Sequence, residues 1–414
     1  MAAHRGAARR PSGILLGGPD TAYRRGHRPS RGGRSERRAA CQGLATRMEV
    51  TEIREPNAVT ELRAEWSALV ERCPSASVFQ TWEWNDAWWR AFGADKELRL
   101  LTMREAGALV GLAPFCIDRY FGLRRLVFIG TPASDYMDIL ATERATGDAC
   151  AATLEYLQGA RGFHWAALQC LRPGSVVSRE IVSEPPCRES QTTMSWADQE
   201  PCPFAQLPAT WDEYIKQLGG ETRRNTAKYE RRLLRTFKSV ESETAQGNQA
   251  HTAADVLLNL HFRRSDQRGW RTLLADKRMH EFIHRVVESF SERGWLRLHV
   301  LCLDNTPGAA SLCFLFRERY WAYNSGFAPE YTGLSLGTMM LMTTIRSAIA
   351  ECCTEFDFLR GGEAYKSHWA SGVRMNRQMV TRPRGFLAPT VLRGLEWARR
   401  ARACVRRARS KRES

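Results

Sequence analysis

The chain has 414 residues, 43% of them hydrophobic, and a formal net charge of +16, enough apolar material for two or three packed domains. The charge sits at the ends: residues 1–47 carry net +9, residues 382–414 another +9, and the stretch between them −2. The folded body is therefore not read as a nucleic-acid-binding domain, while the basic ends suit a polyanion or a membrane surface. No run of eighteen apolar residues is present for a transmembrane segment, and the N-terminus lacks the apolar run of a secretory signal. Twelve cysteines are scattered without a CxxC pair, which points to a reducing, cytoplasmic compartment, with the inner membrane face as a place of peripheral attachment. Cys116, Cys302 and Cys313 lie in apolar runs and read as buried small hydrophobes. His, Cys and Asp do not cluster at metal spacing, and neither a G-x-S-x-G elbow nor a Walker loop is present. Hence no metal is expected, and no covalent nucleophile stands out.

Residues 1–47, rich in Arg, Gly, Ser and Pro, read as a disordered basic extension. From Met48 two α/β units are expected, 48–205 including a junction and 206–381, followed by a basic helix or tail over 382–414. Leu62, Trp66 and Leu69 predict a helix over 59–71, and Trp84, Trp88 and Phe92 predict one over 78–93 that stops at Gly93. Strands are expected at 98–103, 108–117 and 124–130, with another at DYMDIL, 135–140, whose Asp135 and Asp138 resemble paired acids. A helix at 145–157 and a strand at 164–170 close the first unit, and residues 171–209 read as a poorly patterned junction. The second unit opens on a basic helix over 221–237 and continues with helices at 253–266 and 279–294. Strands at 295–304, 309–318 and 319–327 come next, then an apolar helix at 337–353 and a strand at 355–360. The order of elements repeats roughly between the units.

The stretches VFQTWEWNDAWWRAFG, LVGLAPF, LVFIG, DYMDIL, LRLHVLCLD, YNSGFAPEYTGLSLG and DFLRGGEAYKSHWA run from about 78 to 370. As an ordered set they resemble the GNAT-related acyltransferases with a BioF2-like or CelD-like acetyltransferase domain, a branch near the FemABX peptidyltransferases. The resemblance implies an α/β fold of two tandem GNAT-like domains, with mixed, largely antiparallel sheets flanked by helices. It implies acyl transfer from acyl-CoA or acetyl-CoA to an amine, such as an amino sugar, a polysaccharide precursor or another small-molecule or glycan acceptor. Two rivals come with it: an aminoacyl-tRNA donor, as in the Fem relatives, and a non-catalytic partner of a membrane synthase making exopolysaccharide or cellulose. Two departures are visible. Cys353 stands about where the family carries a glycine, which makes the helix end less ideal. The strict Arg/Gln-x-x-Gly-x-Gly/Ala loop is replaced by YTGLSLG, with Gly333 and Gly337 four apart.

In that loop Gly333 permits a turn that a Cβ would obstruct, Ser335 is placed to cap the following helix, and free amides at its start suit a pyrophosphate. Asn324, Gly333, Ser335, Leu336, Gly337 and Thr338 are thus the expected cofactor-binding residues; the plainer reading is a capped helix. Tyr323, at a strand end, contacts the acceptor, protonates a leaving thiolate, or simply packs across the sheet. In DFLRGGEAYKSHW, Gly361 and Gly362 end a strand. Glu363 or His368 then serves as base, and Arg360, Tyr365 and Lys366 hold the acceptor. The alternative is a local Glu363–Lys366 pair with Trp369 packed beneath. Trp82, Trp84 and Trp88 are expected to line or support the acceptor cleft. Arg224, Lys228, Arg231 and Arg235 form a basic stripe over 222–238, suited to polyanion contact or to a solvated face.

Overall fold

Near-continuous apolar runs, buried on both faces, give this chain its central strands, and the strands join into one sheet. The computed structural model describes residues 48–383 apart from 160, 184–191, 268 and 270–272. The first half runs β1 (Glu49–Ile53), α1 (Ala58–Glu61), α2 (Arg63–Arg72), α3 (Trp82–Phe92), β2 (Glu97–Glu105), β3 (Ala108–Tyr120), β4 (Leu123–Phe128), β5 (Leu140–Ala141), α4 (Thr146–Gln158), β6 (Trp165–Leu171) and α5 (Val176–Ser183). The second runs β7 (Thr192–Gln206), α6 (Trp211–Gln217), α7 (Gly220–Thr236), β8 (Val240–Ala245), α8 (Gln249–Gln267), α9 (Lys277–Glu292), β9 (Leu296–Leu303), β10 (Thr306–Phe316), β11 (Arg319–Phe327), α10 (Leu336–Ala350), β12 (Glu355–Asp357), α11 (Ala364–Ser367) and β13 (Gly372–Pro383). Among the described residues no helix is long and apolar enough to cross a membrane.

Thirteen strands form the sheet, in the order β1-β2-β3-β4-β6-β13-β7-β12-β11-β10-β9-β8, with β5 paired to β3 off that path. Each half carries an antiparallel meander, a helix, and then a strand parallel to the last strand of the meander: β6 beside β4, and β12 beside β11. This is the mixed, largely antiparallel tandem architecture expected above. β13 joins the halves, pairing with β6 on one side and with β7 along almost its whole length on the other.

The halves also share a core. The fully buried Trp84 of α3 packs edge-on against Phe282 of α9 and Phe314 of β10, with ring centroids 4.8 and 5.7 Å away. Arg317, beyond β10, donates to the Cys73 carbonyl at 2.6 Å and to Val70 O, adding a second donor to carbonyls that each already accept a backbone amide at the end of α2.

Several expectations change. The single helix over 59–71 is two, α1 and α2, meeting at Leu62. DYMDIL is irregular except for Leu140, because side chains rather than a strand partner hold it: Ser77 Oγ donates to Tyr136 O, and Gln80 Nε2 to Ile139 O. The junction over 171–209 contains the fifteen-residue strand β7. β13 was missed, and it runs to Pro383, past residue 381; the extension over 1–47 and the tail beyond 383 lie outside the described residues. At the end of α10 the left-handed residue is Cys352 (φ +56°) and not Cys353, whose amide returns to Ala348 O at 3.0 Å. A non-glycine there costs about 1 kcal/mol.

α8 lies hard against β11. A Cβ at Gly326 would stand 2.8 Å from the His261 backbone nitrogen, and backbone cannot yield as a side chain does. Gly326→Ala is expected to destabilise the protein by about 1–3 kcal/mol, measured by urea denaturation. Stability equal to wild type would show that α8 is free to shift.

Candidate functional site

β11 and β12 pair in parallel over three residues only, Arg319 to Trp321 against Glu355 to Asp357. Beyond that β11 continues to Phe327, while the other chain leaves the sheet at Phe358. The Pro203 and Pro201 carbonyls of β7 draw it aside by accepting the Phe358 and Gly361 amides at 3.0 and 2.9 Å. The two strands thus separate, with Tyr323 and Asn324 on one side of the gap and residues 358–363 on the other.

The first half lays residues 131–138 against this gap. Tyr323 donates to Ala133 O at 3.0 Å, and Trp84 Nε1 supports the same loop through Ser134 Oγ at 2.7 Å. Tyr136 donates to both oxygens of Asp357, at 3.1 and 2.9 Å. Arg360 pairs through Nε with Asp135 Oδ1 at 3.0 Å and donates through Nη2 to Pro132 O at 2.5 Å. Both carboxylates are buried. Desolvation holds the Asp135 carboxyl above its ordinary pKa, against the pull of Arg360 and Lys366. It also raises Asp357 from 3.8 to about 7, against the Leu359 amide, Arg374 and the Tyr136 hydroxyl. Burial likewise pushes Tyr323 well up, so its phenol stays protonated. Non-glycine residues in the left-handed region gather around the gap: Tyr136 at φ +49°, Leu359 at +55° and Ser335 at +60°. Such strain, about 1–2 kcal/mol per residue, persists where surrounding contacts over-determine it.

Past β11, a 3₁₀ turn over Pro329–Leu334 leads to α10. Ser335 does not cap this helix with its side chain: its backbone is left-handed and not the extended form usual for a cap residue, and its carbonyl accepts from Thr338 and Met339 at 3.0 and 3.1 Å as the first of the helix. The amides of Leu336 and Gly337, at the first two helical positions, have no carbonyl within the helix to reach. Gly333 is not needed for this turn: its φ is ordinary and a Cβ would meet nothing within 4 Å. Gly337 is exposed, and a Cβ there would only touch the Phe327 ring at 3.4 Å. Over that ring, 3.9 Å from its centroid, lies the guanidinium of Arg264 from α8. Arg264 and Phe327 went unnoticed in the sequence, and no local signal ties α8 to the start of α10.

Of the acceptor-side residues, Arg360 is held inward by Asp135 and Pro132. Lys366 is 7% exposed, pairs with Glu363 at 3.0 Å and donates to Arg360 O at 2.9 Å. The Glu363 side chain is 56% exposed. Its carboxylate folds back over Gly361, where a Cβ would lie 2.3 Å from Oε2 and the φ is +124°. Gly361 is therefore what lets the glutamate sit there; a Cβ at Gly362 would meet only Pro201, at 3.3 Å. Tyr365 and His368 are exposed on the same short helix and its cap, and Trp369 is buried beneath. Trp84 and Trp88 are core residues. Trp82, largely buried beneath Arg63 and donating to Val59 O at 2.6 Å, lines a surface pocket beside α3 and α9 with Glu83, Asp86, Arg285 and Glu288, none of them a residue of the gap. Among the described residues no three His, Cys, Asp or Glu could hold a metal ion.

Residues 221–367 match the family model described as an acetyltransferase (GNAT) domain. No curated protein matches the chain. Among solved structures, that of FemX aligns at 10% identity over 79% of this chain and 96% of its own, with a TM-score of 0.53. A conserved protein of unknown function from Bacteroides thetaiotaomicron VPI-5482 aligns at 10% identity over 81% and 100%, also at 0.53. At such identities the likeness is one of fold.

The seam carries a pH signature. The Asp357 carboxyl titrates near 7 when folded and near 3.8 in its ordinary state, so folding favours its protonated form. Its contribution to stability is full below about pH 4 and is lost as pH rises through about 7. Across that window Asp357→Asn should give a flatter profile of unfolding free energy than wild type, read from urea denaturation at several pH values. Parallel profiles would show that Asp357 titrates normally.

Proposed function

We propose, for a chain that belongs to the GNAT acetyltransferase superfamily through residues 221–367, that it transfers an acyl group from acyl-CoA to a primary amine, an amino sugar being the favoured class of acceptor. The observation that carries this reading is the gap where β11 and β12 part. An uncapped helix start follows one strand, and a carboxylate held over Gly361 follows the other.

Acyl-CoA supplies the activated acyl group as a thioester. The Leu336 and Gly337 amides suit its diphosphate, at the positive end of a fifteen-residue helix, and Arg264 adds a cation beside Phe327. Asn324 lies on the part of β11 that runs on past its pairing with β12. Glu363 takes a proton from the acceptor ammonium. Lys366, fixed by its bond to Arg360 O, aims the carboxylate. Asp135 acts through Arg360 as a positioning residue, anchoring the 358–363 stretch to the first half.

Native mass spectrometry with a panel of acyl-CoAs, followed by free-thiol release with primary amines and amino sugars, tests the reading. Gly337→Val is expected to fold and to weaken acyl-CoA binding; unchanged affinity by titration calorimetry would make the turn a plain helix start. Glu363→Gln should lower kcat/KM by roughly 10²- to 10⁴-fold with acyl-CoA affinity unaltered, and should remove the acidic limb of the pH–rate profile. Rates within about threefold of wild type, below that range, would pass the role of base to His368.

A further inference from the structure

α7 carries its charge on one side. Thr226 and Leu233 are buried against the body, and Tyr229, Glu230 and Phe237 are half-buried beside them. At about 100° per residue, Arg224, Lys228, Arg231, Arg232, Arg235 and, just past the helix end, Lys238 fall within about 120° of arc, centred roughly opposite that seated side. All six are exposed, as is Arg223. The acid in the middle of the helix, Glu230, is engaged by Arg346 at 2.6 Å, and none of the seven cations is ion-paired among the described residues. Like charges spaced along roughly 22 Å of helix repel one another, and an anionic surface relieves that repulsion.

Two features decide which surface. Leu234 is 67% exposed at the border of the cationic arc. The arc itself bears no aromatic side chain for a base to stack on, and as the outward ridge of one helix it offers no groove for a strand to follow. Cations flanked by an exposed aliphatic side chain fit lipid headgroups and the acyl boundary just below them. We infer that α7 docks the protein on a membrane surface rich in anionic lipid. Phe237, at its end, packs edge-on against Tyr331 of the turn before α10, centroids 5.6 Å apart. A docked molecule therefore holds the start of α10 close to the bilayer.

The test is sedimentation of the full chain with vesicles of phosphatidylcholine alone or with about one-third phosphatidylglycerol, near physiological ionic strength. Wild type is expected to bind the anionic vesicles. The variant Arg224→Gln/Lys228→Gln/Arg231→Gln/Arg235→Gln should bind them about 600-fold more weakly, from about fivefold per cation. Leu234→Ser should weaken vesicle binding severalfold and leave binding to bulk transfer RNA unchanged. All these positions are exposed, so the melting temperature should hold in each variant. Vesicle binding equal to wild type in the fourfold variant overturns the inference and assigns the attraction to the basic ends. So does a fourfold variant that loses only the RNA, which would make α7 a nucleic-acid surface.

Discussion

Two carboxylates buried between the halves, Asp135 and Asp357, constrain everything around them. An unpaired charge removed from water costs several kcal/mol, so each must find partners, and each finds them across the seam. Arg360 reaches from the second half to Asp135, and Tyr136 reaches from the first half to Asp357, which Arg374 also meets at 3.1 Å. These bonds fix the loop at 131–138 against the gap between β11 and β12. They also engage Arg360, which stays half-buried at the gap, while Glu363, Tyr365 and His368 stand exposed along that edge.

The tandem design gives two equivalent segments unequal tasks. In each half a chain leaves the last strand of a meander and enters irregular structure before the next helix. After β11 that segment is short, ending at the left-handed Ser335 and the open amides of α10. After β4 it is longer and becomes the loop that covers the other half's gap. One copy ends in a helix start without a side-chain cap and the other closes over what lies opposite.

Strong periodicity was legible in the sequence. Trp84, Trp88 and Phe92 announced α3, and the shift from a helical to a strand period announced β9 to β11. The two strands that join the halves were not legible, for a physical reason. β7 has no buried residue over its first ten positions, only half-buried and exposed ones without regular alternation, and contains Pro201 and Pro203, a pattern that reads as a loop or an edge. Here the proline carbonyls matter more than their missing donors, since they hold Phe358 and Gly361. DYMDIL misled in the opposite direction: its apolar residues suggested a strand, yet only Leu140 pairs, with Leu112 of β3. The Glu363–Lys366 pair followed from spacing alone. Arg264, Phe327 and the Asp135–Arg360 pair come together only through tertiary packing, which no local window contains.

The place of β13 sets a schedule for biosynthesis. Its partner β6 ends at Leu171, and β13 begins at Gly372, so about 200 residues separate them. At 5–20 residues per second that is roughly 10–40 s of translation. Throughout that interval β6 presents an open strand edge to the crowded space outside the ribosome, an edge of the kind that recruits foreign strands. The first half is thus made early and finished late, and premature termination anywhere in the second half leaves a product whose most apolar edge has no mate.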